Sequence, residues 1–152
     1  SVSSGSESSG EMAWPFEPSR RCAARFLWLA SAAVLLTFGV CYAMWVGEGC
    51  IAFMPFISDL GLHGAMARAF LCGLLAAAAC LVVPVSHVAV ARDRLLSSLP
   101  VDERWRSFNV AVGIAGYAVA LGVALLGFFP WSGGLFWHLV CANLVFVGGL
   151  AW

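Results

Sequence analysis

The stretch AFLCGLLAAAACLVVPVSHVAV, residues 69–90, decides the fold of this chain because it carries no Asp, Glu, Lys or Arg. At a rise of about 1.5 Å per residue, about 20 helical residues cross a hydrocarbon core about 30 Å thick. A helix is the only structure that satisfies its own backbone groups within one such segment. The stretch therefore predicts a transmembrane helix.

Comparable apolar segments lie on both sides of it. Together they predict helices over about 26–46, 66–90, 108–129 and 134–152. Residues 1–21 are rich in Ser, Gly and Glu, a composition that does not bury enough surface to offset ordering. We therefore expect a flexible tail at 1–21 and an all-α, polytopic transmembrane helix bundle of four helices at 22–152.

Composition and charge exclude several classes of function. Of the 152 residues, 62% are apolar and 11% are charged, which is typical of a membrane protein. The formal net charge is zero, so no nucleic-acid partner is expected. The six cysteines form no CxxC pair and show no Cys/His ligand spacing, so neither a metal site nor a disulfide framework is indicated, and no cofactor is expected.

The cations predict the orientation. All eight are arginines, and only Arg68 lies near the loop that joins the first two predicted helices. The other seven flank the opposite helix ends: Arg20, Arg21, Arg25, Arg92, Arg94, Arg104 and Arg106. The positive-inside rule assigns those ends, and the N-terminus with them, to the cytoplasm.

The segment FMPFISDLG, residues 53–61, would then face the lumen or the cell exterior. A carboxylate costs free energy among lipid tails unless it is wet or paired. Asp59 is tolerable at this place because it lies in an aqueous turn that begins at Pro55 and ends at Gly61.

The same segment resembles the signature of the Frag/DRAM/Sfk family, in which a P-[FY]-I-S-D-x-G element follows the first transmembrane helix. An aromatic residue, Phe70, opens the next helix, as in that family. Two later groups are similar in order and spacing: Arg104, Trp105 and Asn109 before the third helix, and His138, Ala142, Phe146 and Gly149 in the fourth.

The resemblance implies a six-pass protein with both termini cytoplasmic, so we expect this chain to be a fragment that lacks the last two helices. One departure concerns the Pro-Pro-Glu that many members carry shortly after the ISD turn. Here those positions are Gly64, Ala65 and Met66. Any role of that glutamate is not carried over.

The family resemblance also implies a function in membrane lipid handling. We expect a non-catalytic, DRAM-like modulator of autophagy or of membranes that organises or sorts lipid or lipid-linked cargo. The alternatives are a factor or enzyme subunit in GPI-anchor lipid remodelling, related to the amino-terminal part of the yeast protein that installs ceramide, and a small-solute channel or transporter. Expected partners are membrane lipids and GPI-anchored cargo, in the Golgi, endoplasmic reticulum, lysosome or plasma membrane.

Two interpretations of the polar residues remain open. Asp59 could pair with His63 or His138 and close a lipid-binding cleft, or Ser58 and Asp59 could cap the turn while His138 anchors at the interface. A hydrolase triad of Ser58, Asp59 and His63 is disfavoured, because local spacing does not provide convergent geometry. We expect Asn109 to bond to a neighbouring helix. The candidate site residues are Pro55, Phe56, Ile57, Ser58, Asp59, Gly61, His63 and His138.

Overall fold

The computed structural model describes residues 17–50, 57–61 and 64–152. Within these ranges, four α-helices and one short 3-10 helix make up the fold. The α-helices are α1 (Arg20–Gly47), α2 (Gly64–Ser98), α3 (Glu103–Leu126) and α4 (Leu135–Ala151), and the 3-10 helix spans Ile57–Gly61. The all-helical fold class with four helices is thus confirmed.

Three of these helices are long and apolar enough to cross a membrane: α1, α2 and α3. The fourth, α4, is apolar but has 17 residues, which is the lower limit of about 17 for a spanning helix. Large apolar side chains point outward, as with Trp28 at 78% and Leu150 at 90% exposure. Such an exterior suits lipid tails and not water.

The helices α1, α2 and α3 begin earlier, and α2 ends later, than the apolar segments predict. Ser19 caps α1, its side chain accepting from the Cys22 amide at 3.3 Å. Asp102 caps α3 by accepting from the Arg104 amide, also at 3.3 Å. The helix α2 continues through the charged residues to Ser98. Hydropathy detects the lipid-crossing part of a helix, whereas caps and backbone hydrogen bonds determine where it ends.

Consecutive helices pack side by side, α1 on α2, α2 on α3 and α3 on α4. Small residues form the closest approaches. A Cβ added at Gly73 would lie 1.8 Å from Oγ1 of Thr37, and one at Gly122 would lie 2.9 Å from Cβ of Leu144. Lipid removes the hydrophobic drive between helices, so close backbone packing of this kind holds them together.

The topology places seven arginines at one end of the helices, here called the arginine end, and the 3-10 helix at the other, here called the PFISDLG end. The helix α2 of 35 residues is about 52 Å long at about 1.5 Å per residue, well beyond a core of about 30 Å. Its arginine-end turns therefore extend into the headgroup region or beyond it.

Candidate functional site

The 3-10 helix is anchored at the PFISDLG end by apolar packing. Leu60 is 5% exposed and joins a buried cluster with Cys41, Met66, Phe70 and Leu74. A Cβ at Gly61 would lie 2.9 Å from the Phe70 ring, so the glycine allows the turn to lie against that ring. Buried Leu60 thus fixes the position of the neighbouring Asp59.

Asp59 links this turn to the connection between α3 and α4. The indole Nε1 of Trp131 donates a hydrogen bond to Oδ1 of Asp59, at 3.0 Å. A carboxylate that accepts from an indole N–H has one of its oxygens satisfied without leaving the interface. The two non-helical segments at this end are therefore tied together by a polar contact.

His138 bonds to the same connection from α4. Its Nδ1 lies 2.8 Å from the carbonyl oxygen of Phe129, and because a carbonyl only accepts, Nδ1 carries the proton. The pairing of Asp59 with His138 or His63 stays a prediction. Pro55, Phe56 and His63 lie outside the described residues, whereas Ile57 and Ser58 belong to the 3-10 helix.

Polar side chains also join α2 to α3. Asn109 is 3% exposed and its Nδ2 donates to the carbonyl oxygen of Ala89 at 3.3 Å. Ser86 Oγ and the Tyr117 hydroxyl lie 2.8 Å apart, farther along the same interface. Interhelical bonds of this kind stabilise helix pairs in membranes by about 0.6 kcal/mol each.

A cleft of about 280 Å³ opens at the arginine end. The helices α2 and α4 both pack on α3, so α3 forms the floor between them. The lining residues are Arg92, Leu95, Leu96, Trp105, Phe108, Asn109, Val112, Ala151 and Trp152. Most of them are apolar, and Arg92 is the only charged residue among them. The cleft therefore combines apolar walls with one arginine side chain, which is typical of a site for an amphipathic ligand.

Two residues of the cleft carry buried polar atoms without a hydrogen-bond partner. They are Oδ1 of Asn109, an acceptor, and Nε1 of Trp152, a donor. An unsatisfied buried polar atom costs about 1–3 kcal/mol. Both atoms can form a hydrogen bond with a group that enters the cleft.

A second contact at the arginine end holds the segment before α1. His87 Nδ1 donates to the carbonyl oxygen of Pro18 at 2.8 Å, and Arg94 forms an ion pair with Glu17. Both partners precede α1, so these contacts set how the chain enters its first helix. Both side chains of the ion pair are more than half exposed, so it adds little stability.

In the ranges that the structure describes, His, Cys, Asp and Glu side chains form no group of three that could hold a metal ion. The polar side chains at both ends of the bundle instead form hydrogen bonds, and those at the arginine end also form ion pairs.

The cleft was not predicted from the sequence. The sequence uses Arg92 only to predict orientation, and Trp105 and Asn109 only as parts of a family-like motif. The available signal was an Arg and a Trp at facing helix ends, both residue types that favour the membrane interface. That signal does not say that α2 and α4 leave a gap over α3.

Comparison with known proteins adds no assignment. The chain matches no protein-family model, no curated protein and no solved structure. The resemblance to the Frag/DRAM/Sfk family stays a prediction based on the residues quoted above.

Proposed function

We propose that this chain is a multi-pass endomembrane protein that organises or sorts lipid or lipid-linked cargo by holding a lipid in the cleft at the arginine end. The observation that carries the proposal is the cleft itself, with apolar walls, Arg92 at its rim and the buried acceptor of Asn109. A lipid has the matching sequence of groups, a polar head followed by an apolar chain.

The setting of the cleft favours a lipid over a water-soluble ligand. Leu95, Trp105 and Phe108 line it and are 58–60% exposed (Leu95 59%, Trp105 58%, Phe108 60%). Side chains this apolar and this exposed at a helix end lie at the boundary between headgroups and tails. A lipid reaches such a cleft laterally, without leaving its leaflet.

The buried polar contacts favour binding over transport. Ser86 pairs with Tyr117 across the helices, Asn109 bonds to α2, and Thr37 bonds to its own helix at the carbonyl oxygen of Ala33. Conducting paths usually display ionisable residues that face the bundle interior. The bonds of Ser86 and Asn109 instead hold helices together, and the Thr37 hydroxyl is satisfied within α1.

The endomembrane setting, the kinship with DRAM-like modulators and a role for GPI-anchored cargo belong to the proposal and rest on the PFISDLG segment. If anchor lipids were altered in cells without the gene, the alternative of GPI-anchor lipid remodelling would be favoured. Unchanged anchor lipids would support a non-catalytic role.

A cleft-filling variant tests the proposal. Ala151 lines the cleft and is exposed, so Ala151→Phe places a ring in the cavity without removing a buried contact. Ala111→Phe is the matched control, because Ala111 is exposed on α3 and does not line the cleft. The protein is purified in lipid nanodiscs and transferred to detergent, and retained lipid is counted by native mass spectrometry.

We expect the wild type and Ala111→Phe to retain about one lipid per chain, as expected for a single cleft of this size, and Ala151→Phe to lose it. Equal retention in all three proteins, or none in the wild type, would contradict the proposed function.

A further inference from the structure

Resting on that proposed function, we infer that the cleft selects an anionic glycerophospholipid, whose phosphate binds Arg92 and whose acyl chain lies along the apolar wall of α2 and α3. The selectivity for charge is the new element, and it follows from the position of Arg92, the one charged residue that lines the cleft.

Three arginines at the end of α2 and the start of α3 have a carboxylate partner. Arg94 pairs with Glu17, Arg104 Nε lies 3.7 Å from Asp102 Oδ2, and Arg106 Nε lies 4.0 Å from Glu103 Oε2. Each of these positive charges is at least partly compensated by its neighbour. Such an arginine attracts a second anion less strongly.

Arg92 differs from them. Its Nη2 donates to the main-chain oxygen of Trp152 at 3.2 Å and not to a carboxylate side chain. Among the described residues no ion pair includes Arg92. The guanidinium therefore has further N–H donors at the rim of the cleft, and that planar group suits bidentate binding of phosphate.

The interior of the cleft can bind the parts of a glycerophospholipid that follow the phosphate. Ala89, which accepts from Asn109, lies about one helical turn from Arg92 on α2, so Asn109 is one turn deeper than the phosphate position. A hydroxyl group or a water carried by the lipid's polar region would satisfy the Asn109 acceptor. Beyond it, Val112 and the Trp152 ring offer an apolar surface for the first part of a chain.

The size of the cleft agrees with partial enclosure. Its volume of about 280 Å³ is just below the range of about 300–1,000 Å³ for pockets that enclose a whole ligand. It holds a phosphate, a glycerol unit and the upper part of one chain, while the remaining lipid stays in the leaflet. Binding of this kind distinguishes headgroups without extracting the molecule.

The test compares lipids within one nanodisc preparation that contains phosphatidylcholine and phosphatidylglycerol in equal amounts. Lipid that remains on the full chain after detergent transfer is identified by native mass spectrometry. We expect about a fivefold preference for phosphatidylglycerol, the factor for one arginine near an anionic headgroup. Arg92→Gln should abolish the preference and Arg92→Lys should keep most of it.

Arg104→Gln is the matched control, because Arg104 lies at the same end, is paired with Asp102 and does not line the cleft. It should keep the preference. Loss of preference in Arg104→Gln, or its persistence in Arg92→Gln, would overturn the assignment. Thermal unfolding of each variant confirms that the helices remain folded.

A third arm separates lipid from free phosphate. Inorganic phosphate at millimolar concentration should not displace the bound lipid, since it cannot use the apolar wall. Displacement would reassign Arg92 to a soluble anion and overturn the inference. A wild type that retains lipid without regard to charge would also overturn the inference while leaving the proposed function intact, whereas retention of no lipid would remove the proposed function.

Discussion

At the scale of single residues, polar side chains between the helices act as contacts between neighbours. Ser86 is 1% exposed, and its hydroxyl meets both the carbonyl oxygen of Val82 and the hydroxyl of Tyr117 at 2.8 Å. An oxygen in this position would be costly without partners. Its two bonds explain why a serine is tolerated within an apolar helix.

The Ser86–Tyr117 contact predicts a measurable coupling. Ser86→Ala, Tyr117→Phe and the double variant form a cycle whose interaction energy should be about 0.6 kcal/mol and at most about 1.7 kcal/mol. Unfolding of the purified protein in mixed micelles, followed by circular dichroism, provides the three stability changes. The cycle Ser31→Ala with Tyr117→Phe is the control, because Ser31 bonds only within α1, to the carbonyl oxygen of Leu27. Coupling as large in the control would contradict the contact.

Asp59 and Trp131 provide the second prediction at this scale. Asp59→Ala and Trp131→Phe should each speed amide exchange in the α3–α4 connection, because each removes the bond that holds the connection to the 3-10 helix. Asp59→Asn should have a smaller effect, since the amide oxygen still accepts from the indole. Hydrogen exchange followed by mass spectrometry measures residues 127–134.

The same series decides whether His138 also acts with Asp59. Asp59→Asn and His138→Ala, singly and together, should show non-additive losses of stability if the two side chains work as a pair. Strict additivity would favour the interpretation in which His138 serves the Phe129 carbonyl alone.

At the scale of helices, glycine positions determine how closely two neighbours approach. Gly73 faces Thr37 on α1 so closely that even one carbon cannot be added without movement. Gly39 lies on α1 as well, yet a Cβ there meets nothing within 4 Å. Both residues are glycine, but Gly73 is tightly packed and Gly39 faces open space.

Gly73→Ala should therefore destabilise the protein by about 1–3 kcal/mol through overpacking, and Gly73→Val by more. Gly39→Ala should be neutral or stabilising by about 0.5–1 kcal/mol, because alanine is the better helix former. Thermal unfolding in micelles measures both. Equal effects at the two positions would contradict the packing of α1 on α2.

The sequence predicts the presence of each helix better than it predicts where each helix begins and ends. The apolar runs predict all four helices, but the predicted ranges of 66–90 and 108–129 miss the charged turns at the arginine end. There α2 reaches Ser98 and α3 begins at Glu103. Charged residues reduce hydropathy without reducing helix propensity, so a hydropathy pattern underestimates helices that extend past the membrane core.

At the scale of the whole molecule, the alternation of helices places the arginine end and the PFISDLG end at opposite ends of the helix bundle. The N-terminal arginines and the α2–α3 connection share the arginine end, and the α3–α4 connection lies at the PFISDLG end. This alternation follows from the helix order, whichever compartment each end faces. The positive-inside rule adds the prediction that the arginine end is cytoplasmic.

Cysteine labelling tests that orientation. In a background with all six native cysteines replaced by alanine or serine, Leu99→Cys and Ser132→Cys each place one exposed thiol in a connection between helices. In sealed, cytoplasmic-side-out microsomes, an impermeant maleimide should label Leu99→Cys at once and Ser132→Cys only after detergent is added. The reverse pattern would place the N-terminus in the lumen.

The sequence by itself determined that the chain is helical and suited to a membrane, because hydropathy and length are local properties and a lone segment in lipid has only the helix available. It also predicted that Asp59 lies in a turn between the first two transmembrane helices. Only the tertiary structure decided that Trp131 donates a hydrogen bond to Asp59, that Gly73 packs closely against Thr37, and that α2 and α4 leave a cleft over α3. These features depend on distances between segments that are far apart in the chain. The close packing of particular side chains sets those distances, and a local sequence pattern does not.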